Sequence, residues 1–230
     1  MSLLSPEAST SLSTAYQLPY WEQAAVPILR GPLFGSRWVV ASGGKVMRLL
    51  CGTYKPAVTR LFQKLVKPES VVFDLGAQVG YYTLLSSRLA RRGQVVAFEK
   101  DPRHLAFLRA NLAANRCGNV QVRELAFSAD DEWGRVDDGR INVRATKLDD
   151  VVDRIHLQPT HLRIDARVDA FETLKGGLET LVAARPTIFL TVHRTDVRAD
   201  CCDLLRDFDY DLQPIEGHEF RLANSLLCIG

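Results

Sequence analysis

The stretch Val71-Val72-Phe73-Asp74-Leu75-Gly76-Ala77-Gln78-Val79-Gly80 limits the fold of this chain more than any other. Its β-branched and aromatic start reads as a buried strand, its glycines allow a sharp backbone turn, and a helix is expected to begin at Tyr81. Strand, glycine loop and helix together open a βαβ unit, where a ligand lies against backbone N–H groups at the helix N-terminus. A dinucleotide fingerprint needs a third glycine, and the carboxylate of Asp74 would repel a pyrophosphate. A ligand with cationic groups, such as the ammonium and sulfonium of S-adenosylmethionine, suits that acid better.

A second acid supports a nucleoside-type ligand. Glu99 ends the apolar run Val95-Val96-Ala97-Phe98, 25 residues after Asp74. An acid at the C-terminal end of the second strand can accept hydrogen bonds from both ribose hydroxyls. Strands are predicted over 70–75, 94–99, 120–125, 162–165 and 187–192, alternating with helices over 81–91, 102–115, 171–184 and 199–208. Short closing strands are expected over 211–215 and 225–229, on either side of a polar turn at Gly217 and His218. Near-continuous apolar strands between helices specify a parallel sheet covered on both faces, the doubly wound α/β class.

At 230 residues the chain has the size of one such domain. Residues 1–16 read as a mobile tail with neither signal-peptide nor membrane-anchor character, 17–69 as an N-terminal cap of turns, short strands and one helix, and 70–230 as the ligand-binding domain. The segment 128–144 is expected to be a loop or short hairpin bordering the site. A net charge of +2 names no nucleic-acid or membrane partner, and Arg88, Arg91, Arg92, Lys100, Arg103 and Arg109 read as a solvated face without interleaved aromatics. The five cysteines form no CxxC pair, which suits a reducing cytoplasm, and adjacent Cys201 and Cys202 read as core. His104, His156, His161 and His218 are placed on helix or loop surfaces.

From about Pro27 onward the chain resembles the FkbM family of S-adenosylmethionine-dependent methyltransferases. The resemblance rests on Gly31-Pro32-Leu33, Gly52-Thr53-Tyr54, the stretch from Val72 through Thr83, Val95 to Glu99, Asn111-Leu112-Ala113-Ala114-Asn115, Thr146-Lys147-Leu148-Asp149, Arg163-Ile164-Asp165, Leu174-Lys175-Gly176 and Pro186 to His193. It implies a Rossmann-like class I methyltransferase sheet, mostly parallel with an antiparallel last strand. It also implies methyl transfer to a hydroxyl of a sugar or natural product. Carried onto this chain, the cofactor-binding set is Tyr54, Asp74, Gly76, Ala77, Gln78, Gly80, Tyr81, Tyr82, Glu99, Lys100, Leu125, Ala126 and Asp165. Leu125 and Ala126 would border the adenine.

The chain departs from the family where K-I-D-V-E-G-A-E becomes Arg163-Ile164-Asp165-Ala166-Arg167-Val168-Asp169-Ala170, and where G-x-Y-E becomes Gly52-Thr53-Tyr54-Lys55. Losing acids there argues against a bound divalent metal, and no metal site is expected. Transfer to a hydroxyl needs a base. His193 and Asp165, both at the C-terminal ends of strands, are the candidates, with His193 as base and Asp165 orienting acceptor or cofactor; the alternative is that His193 only bonds a loop. The expected partner is a small hydroxyl-bearing acceptor, with no nucleic acid, no membrane and a homodimer allowed. Two other readings stay open: a methyltransferase-like protein that binds cofactor or a partner without catalysis, and, less favoured, a nicotinamide-dependent oxidoreductase.

Overall fold

The computed structural model describes residues 18–43, 45–130, 133–135, 142–165, 169–215 and 223–230. The expected tail at 1–16, the departures Arg167 and Val168, and the turn at Gly217 and His218 lie outside the described residues.

In chain order the elements are β1 (Ala25–Pro27), β2 (Arg37–Val39), α1 (Val46–Leu50), α2 (Pro56–Leu65), β3 (Val71–Leu75), α3 (Tyr81–Leu89), β4 (Gln94–Glu99), α4 (Pro102–Ala114), β5 (Val120–Glu124) and β6 (Ala126–Phe127). Then come β7 (Trp133–Arg135), β8 (Asn142–Thr146), α5 (Leu148–Ile155), β9 (His161–Ile164), α6 (Ala170–Lys175), α7 (Leu178–Ala183), β10 (Thr187–Thr191), α8 (Thr195–Asp207), β11 (Asp211–Pro214) and β12 (Ser225–Ile229). Seven strands form the central sheet in the order β11-β12-β10-β9-β3-β4-β5. β5, β4, β3, β9 and β10 run parallel, and only β12, set between β10 and β11, runs antiparallel to its neighbours. The doubly wound, mostly parallel sheet with an antiparallel last strand is therefore present.

Alternation along each strand sends neighbouring residues to opposite faces. Val72, Val95, Phe189 and Leu227 pack with Phe62 of α2 and Leu84 and Leu85 of α3. Phe73, Val96, Leu190 and Cys228 pack on the other face with Leu148 and Val151 of α5, Leu174 of α6 and Cys201, Cys202 and Leu205 of α8. Both strand faces are thus dry, and the adjacent cysteines are core residues as expected.

The cap shares this core. Ile28, Leu33, Trp38, Leu49, Val58 and Phe62 belong to the same apolar cluster as Val72, Tyr82 and Leu85. Asn111 of α4 and its C-cap Asn115 bind the N-terminal cap's backbone: Val39 N donates to Asn111 Oδ1 at 2.8 Å and Arg37 N to Asn115 Oδ1 at 2.8 Å. Asn111 Nδ2 also donates to the carbonyl of Val79 at 2.8 Å, tying the cap to the glycine loop.

Three expectations need correction. The single helix over 171–184 is two, α6 and α7, broken at Gly176-Gly177. Paired glycines are poor helix formers, and the Gly176 carbonyl accepts from Asp149 N at 3.0 Å while a Cβ at Gly176 would lie 2.4 Å from the Ser128 carbonyl oxygen. Helix α5 was not anticipated. His161 is not on a surface: it starts the central strand β9 with 7% exposure. In the 128–144 segment, expected to be a loop or short hairpin, β7 pairs antiparallel with β8, and β8 also pairs parallel with β6. Among the described residues no helix is long and apolar enough to cross a membrane.

Candidate functional site

The site forms where β9, β3 and β4 end side by side, the edge at which open α/β sheets bind ligands. After β3 the loop is clamped to its neighbour: Gly76 N and Ala77 N both donate to the Phe98 carbonyl at 2.9 Å. Gln78 takes a left-handed conformation, φ 53°, rarely adopted by a side-chain-bearing residue. Two contacts hold it there. Its backbone N–H donates to Glu99 Oε2 at 2.7 Å, and its Nε2 donates to Asp165 Oδ1 at 2.5 Å. Gln78 therefore joins the acids ending two strands that flank β3. Gly80, φ 95°, begins α3, and a Cβ there would come 2.5 Å from Leu108 Cδ1. No side chain caps the helix, so its first N–H groups are left for a ligand.

Glu99 is 6% exposed. Its Oε1 accepts from Lys100 N and Asp101 N, each at 2.9 Å, while His104 Nδ1 stands 3.8 Å away. Burial alone would raise its pKa, but His104 and the backbone donors outweigh burial and hold the carboxyl below the usual carboxylate range. Glu99 is thus an anion whose oxygens retain lone pairs for hydroxyl donors. Lys100 contributes its backbone N–H to this arrangement. His104, read from sequence as a surface residue, is an electrostatic neighbour of the site; nothing in its helical spacing signals this.

Arg163 is the largest addition to the predicted set. Its position on β9 is paired with Asp74 of β3, and its Nη1 donates to Asp74 Oδ1 at 2.8 Å and to the Gly76 carbonyl at 3.2 Å. Its Nη2 binds Asp165 Oδ2. The guanidinium carbon lies 4.6 Å from the ring centroid of Tyr82. Burial disfavours its charge, but Asp74 and Asp165 reverse the balance and hold the guanidinium more firmly protonated. The signal in the sequence was the change from lysine to arginine in the R-I-D stretch, since a planar guanidinium can offer a separate N–H donor to each of two carboxylates.

This alters the expected role of Asp74. The residue has 0% exposure, and its other oxygen accepts from Thr83 Oγ1 at 2.6 Å. Asp74 anchors Arg163 and α3 from beneath the loop, with no surface to present to a cationic ligand. Asp165, 5% exposed, is likewise engaged by Gln78 and Arg163, so it positions the loop.

Tyr54, Tyr81 and Tyr82 form an aromatic corner at the start of α3. The Tyr54 ring lies edge-on to Tyr81 at 4.6 Å and Tyr81 to Tyr82 at 5.1 Å, with Tyr82 Oη 3.4 Å from Thr59 Oγ1. Burial raises the pKa of both Tyr81 and Tyr82, keeping them neutral. With Ala77, Gln78, Val79, Gly80 and Arg163 they line a small hollow of about 30 Å³. Leu125 and Ala126, half-buried, stand at the β5–β6 junction beside this edge. Lys55, φ 38°, precedes Pro56 at the start of α2 and follows Tyr54 directly. His193 lies exposed in the connection between β10 and α8, beyond the same edge. Among the described residues no His, Cys, Asp and Glu cluster could hold a metal ion.

Residues 57–132 match the TRM5/TYW2 methyltransferase domain family. No curated protein matches the chain by sequence. Among solved structures, the methyltransferase FkbM of Methylobacillus flagellatus KT is similar, with a TM-score of 0.59 and 18% identity over 70% of this chain and 44% of that one. The chain thus spans less than half the length of that protein. The precorrin-6y C5,15-methyltransferase of Geobacter metallireducens GS-15 has a TM-score of 0.52 and 19% identity over 76% of this chain and 87% of that one. A Streptococcus mutans protein described as a methyltransferase and solved in complex with SAH has a TM-score of 0.51 and 13% identity over 74% of this chain and 92% of that one. Strand order, the single antiparallel strand and these likenesses agree: the chain has the Rossmann-like class I methyltransferase fold.

Proposed function

We propose that this protein is an S-adenosylmethionine-dependent methyltransferase of the FkbM kind, acting on a hydroxyl of a small molecule such as a sugar or natural product. The observation that carries this reading is the Gln78 N to Glu99 Oε2 bond of 2.7 Å beside an uncapped helix start. It brings two complementary features to one loop. The free N–H groups at the head of α3 suit the carboxylate of the cofactor's methionine part, and Glu99 suits the ribose hydroxyls. Tyr54, Tyr81 and Tyr82 wall the site beside them, and Leu125 and Ala126 border the adenine. The cofactor, when bound, supplies an electrophilic methyl group on a sulfonium.

The remaining work falls to this chain's own residues. The acceptor hydroxyl must be oriented and relieved of its proton. His193, exposed at the edge after β10, is the base in this reading. Asp165 acts indirectly, because Arg163 and Gln78 already hold its oxygens.

Titration calorimetry with S-adenosylmethionine, followed by measurement of S-adenosylhomocysteine release across a panel of hydroxyl acceptors, tests the proposal. His193→Gln should keep cofactor affinity and lose turnover; unchanged turnover removes the histidine from the mechanism. The engagement of both Asp74 and Asp165 by Arg163 favours a second reading, cofactor binding without catalysis. Binding without product release from any acceptor is its signature. Absence of binding refutes both.

A further inference from the structure

A cavity of the described residues lies away from this site. It measures about 550 Å³ and is lined by Phe34, Arg88, Arg91, Asn115, Arg116 and Asn119, among others. Arg88 and Arg91 sit at the C-terminal end of α3, and Asn115 to Asn119 connect α4 to β5, so the cavity opens at the sheet edge opposite Glu99. The length of α3, roughly 13 Å for its nine residues, separates it from the glycine loop.

Its chemistry is one-sided. Three arginines line it and no carboxylate does. Arg88 is structural: its Nη1 donates to the Phe34 carbonyl at 2.9 Å and to Ser36 Oγ at 3.0 Å, holding the cap's turn against α3. Asn115 and Asn119 are likewise committed, to Arg37 and Asn111 and to Ser87 and Ala90. Arg91 and Arg116 are different. Both are exposed and neither has an ion-pair partner within 4.0 Å among the described residues; Glu69, the acid near Arg91, is bound by Arg92. Arg116 is held in a left-handed turn, φ 53°. An adjoining cavity of about 320 Å³ shares Arg116 and adds Arg109, whose Nη2 lies 3.8 Å from Glu124 Oε2, so Arg91 and Arg116 remain the cations open to an anion.

Phe34 supplies the second component. It lines the same cavity as the arginines with 65% of the residue exposed. An aromatic face next to unpaired guanidinium groups is the combination that binds a base and its phosphate together. The sequence conceals it, since Phe34 and Arg91 are brought together only by packing of the cap on α3 and α4.

We propose that this cleft binds a nucleotide, its phosphate held by Arg91 and Arg116 and its base against Phe34. A free nucleotide and a nucleotide within a strand share this chemistry. The inference is independent of methyl transfer, since the two sites occupy opposite sheet edges. The test is calorimetry at low salt with uridine diphosphate, inorganic phosphate and a ten-nucleotide oligouridylate, with S-adenosylmethionine in excess throughout. Uridine diphosphate should bind saturably and more tightly than phosphate. The Arg91→Glu/Arg116→Glu variant should lose at least about tenfold in affinity, and Phe34→Ala about fivefold or more for the nucleotide and none for phosphate. Tighter binding of oligouridylate identifies a strand as the natural source, and equal or weaker binding a free nucleotide. A control with the same charge change elsewhere, Lys64→Glu/Arg154→Glu, should bind like wild type, with melting temperatures confirming that all variants fold. Absence of saturable nucleotide binding, indifference to Phe34→Ala, or an equal loss in the control overturns the proposal.

Discussion

Arg163 and Asp74 face each other as register partners on adjacent strands, 2.8 Å apart and both shut off from water, with Asp165 on the guanidinium's other arm. Removing one member of a buried ionic group is costly because the remaining charges lose their partner without regaining water. Arg163→Met should therefore destabilise the fold by roughly 3–5 kcal/mol in urea unfolding. Adding Asp74→Asn should recover part of the loss. An Arg163→Met single variant with wild-type stability would show that the triad does not hold the sheet edge together.

Glu99 makes the site sensitive to acid. Its folded-state pKa is depressed, so the anion's contribution is present above its unfolded value of 4.5 and disappears as the pH falls through the lower folded value. Glu99→Gln should cost roughly 1.5–3 kcal/mol at pH 7, the range for hydrogen bonds to a charged group. The gap between variant and wild type should close on acidification below pH 4.5, measured by urea midpoints. A gap that stays constant with pH would assign the loss to packing.

His161 acts in a higher pH window. Burial first, and Lys67 nearby, hold its pKa down at about 4 against an ordinary 6.5, with a backbone contact to Leu65 opposing them. The neutral form is favoured by folding, so its contribution is complete above pH 6.5 and is lost as pH falls towards 4. Wild type should lose on the order of 3 kcal/mol across that interval from this residue, and His161→Gln should flatten the slope in thermal melts.

Asp149 closes the far face. From α5 it accepts Thr180 N at 2.8 Å, Thr180 Oγ1 at 2.6 Å and Glu179 N at 3.0 Å, serving as the cap of α7 that Gly177 cannot provide. Asp149→Ala should cost about 1–2 kcal/mol, as lost helix caps do, and Asp149→Asn less. Denaturant unfolding of the two variants against wild type measures the difference.

Some of this architecture could be read locally. The Val-rich runs ending at Leu75 and Glu99, the glycines at 76 and 80 and the alternation of strand with helix each depend on residues a few positions apart. They determined the class, the strands and the loop on which a ligand would lie. Where local signals misled, a distant partner was the reason: Gly176 breaks a helix because its carbonyl is taken by Asp149 and its Cα sits against Ser128. His161 is buried because β9 joins the sheet between β3 and β10.

The site divides along the same line. Place at a strand end was enough to single out Glu99 and Asp165, and the family resemblance added Gln78, whereas the charge balance among them was decided only in three dimensions. Asp74 and Arg163 are 89 residues apart, and strand pairing alone sets them side by side. A carboxylate's function depends on which donors surround it, and those donors come from the sheet as a whole. The sequence by itself determined what kind of sheet this chain builds and where its glycine loop falls; the tertiary structure determined that Asp74 supports the loop from beneath, because burial against Arg163 leaves it no surface to offer.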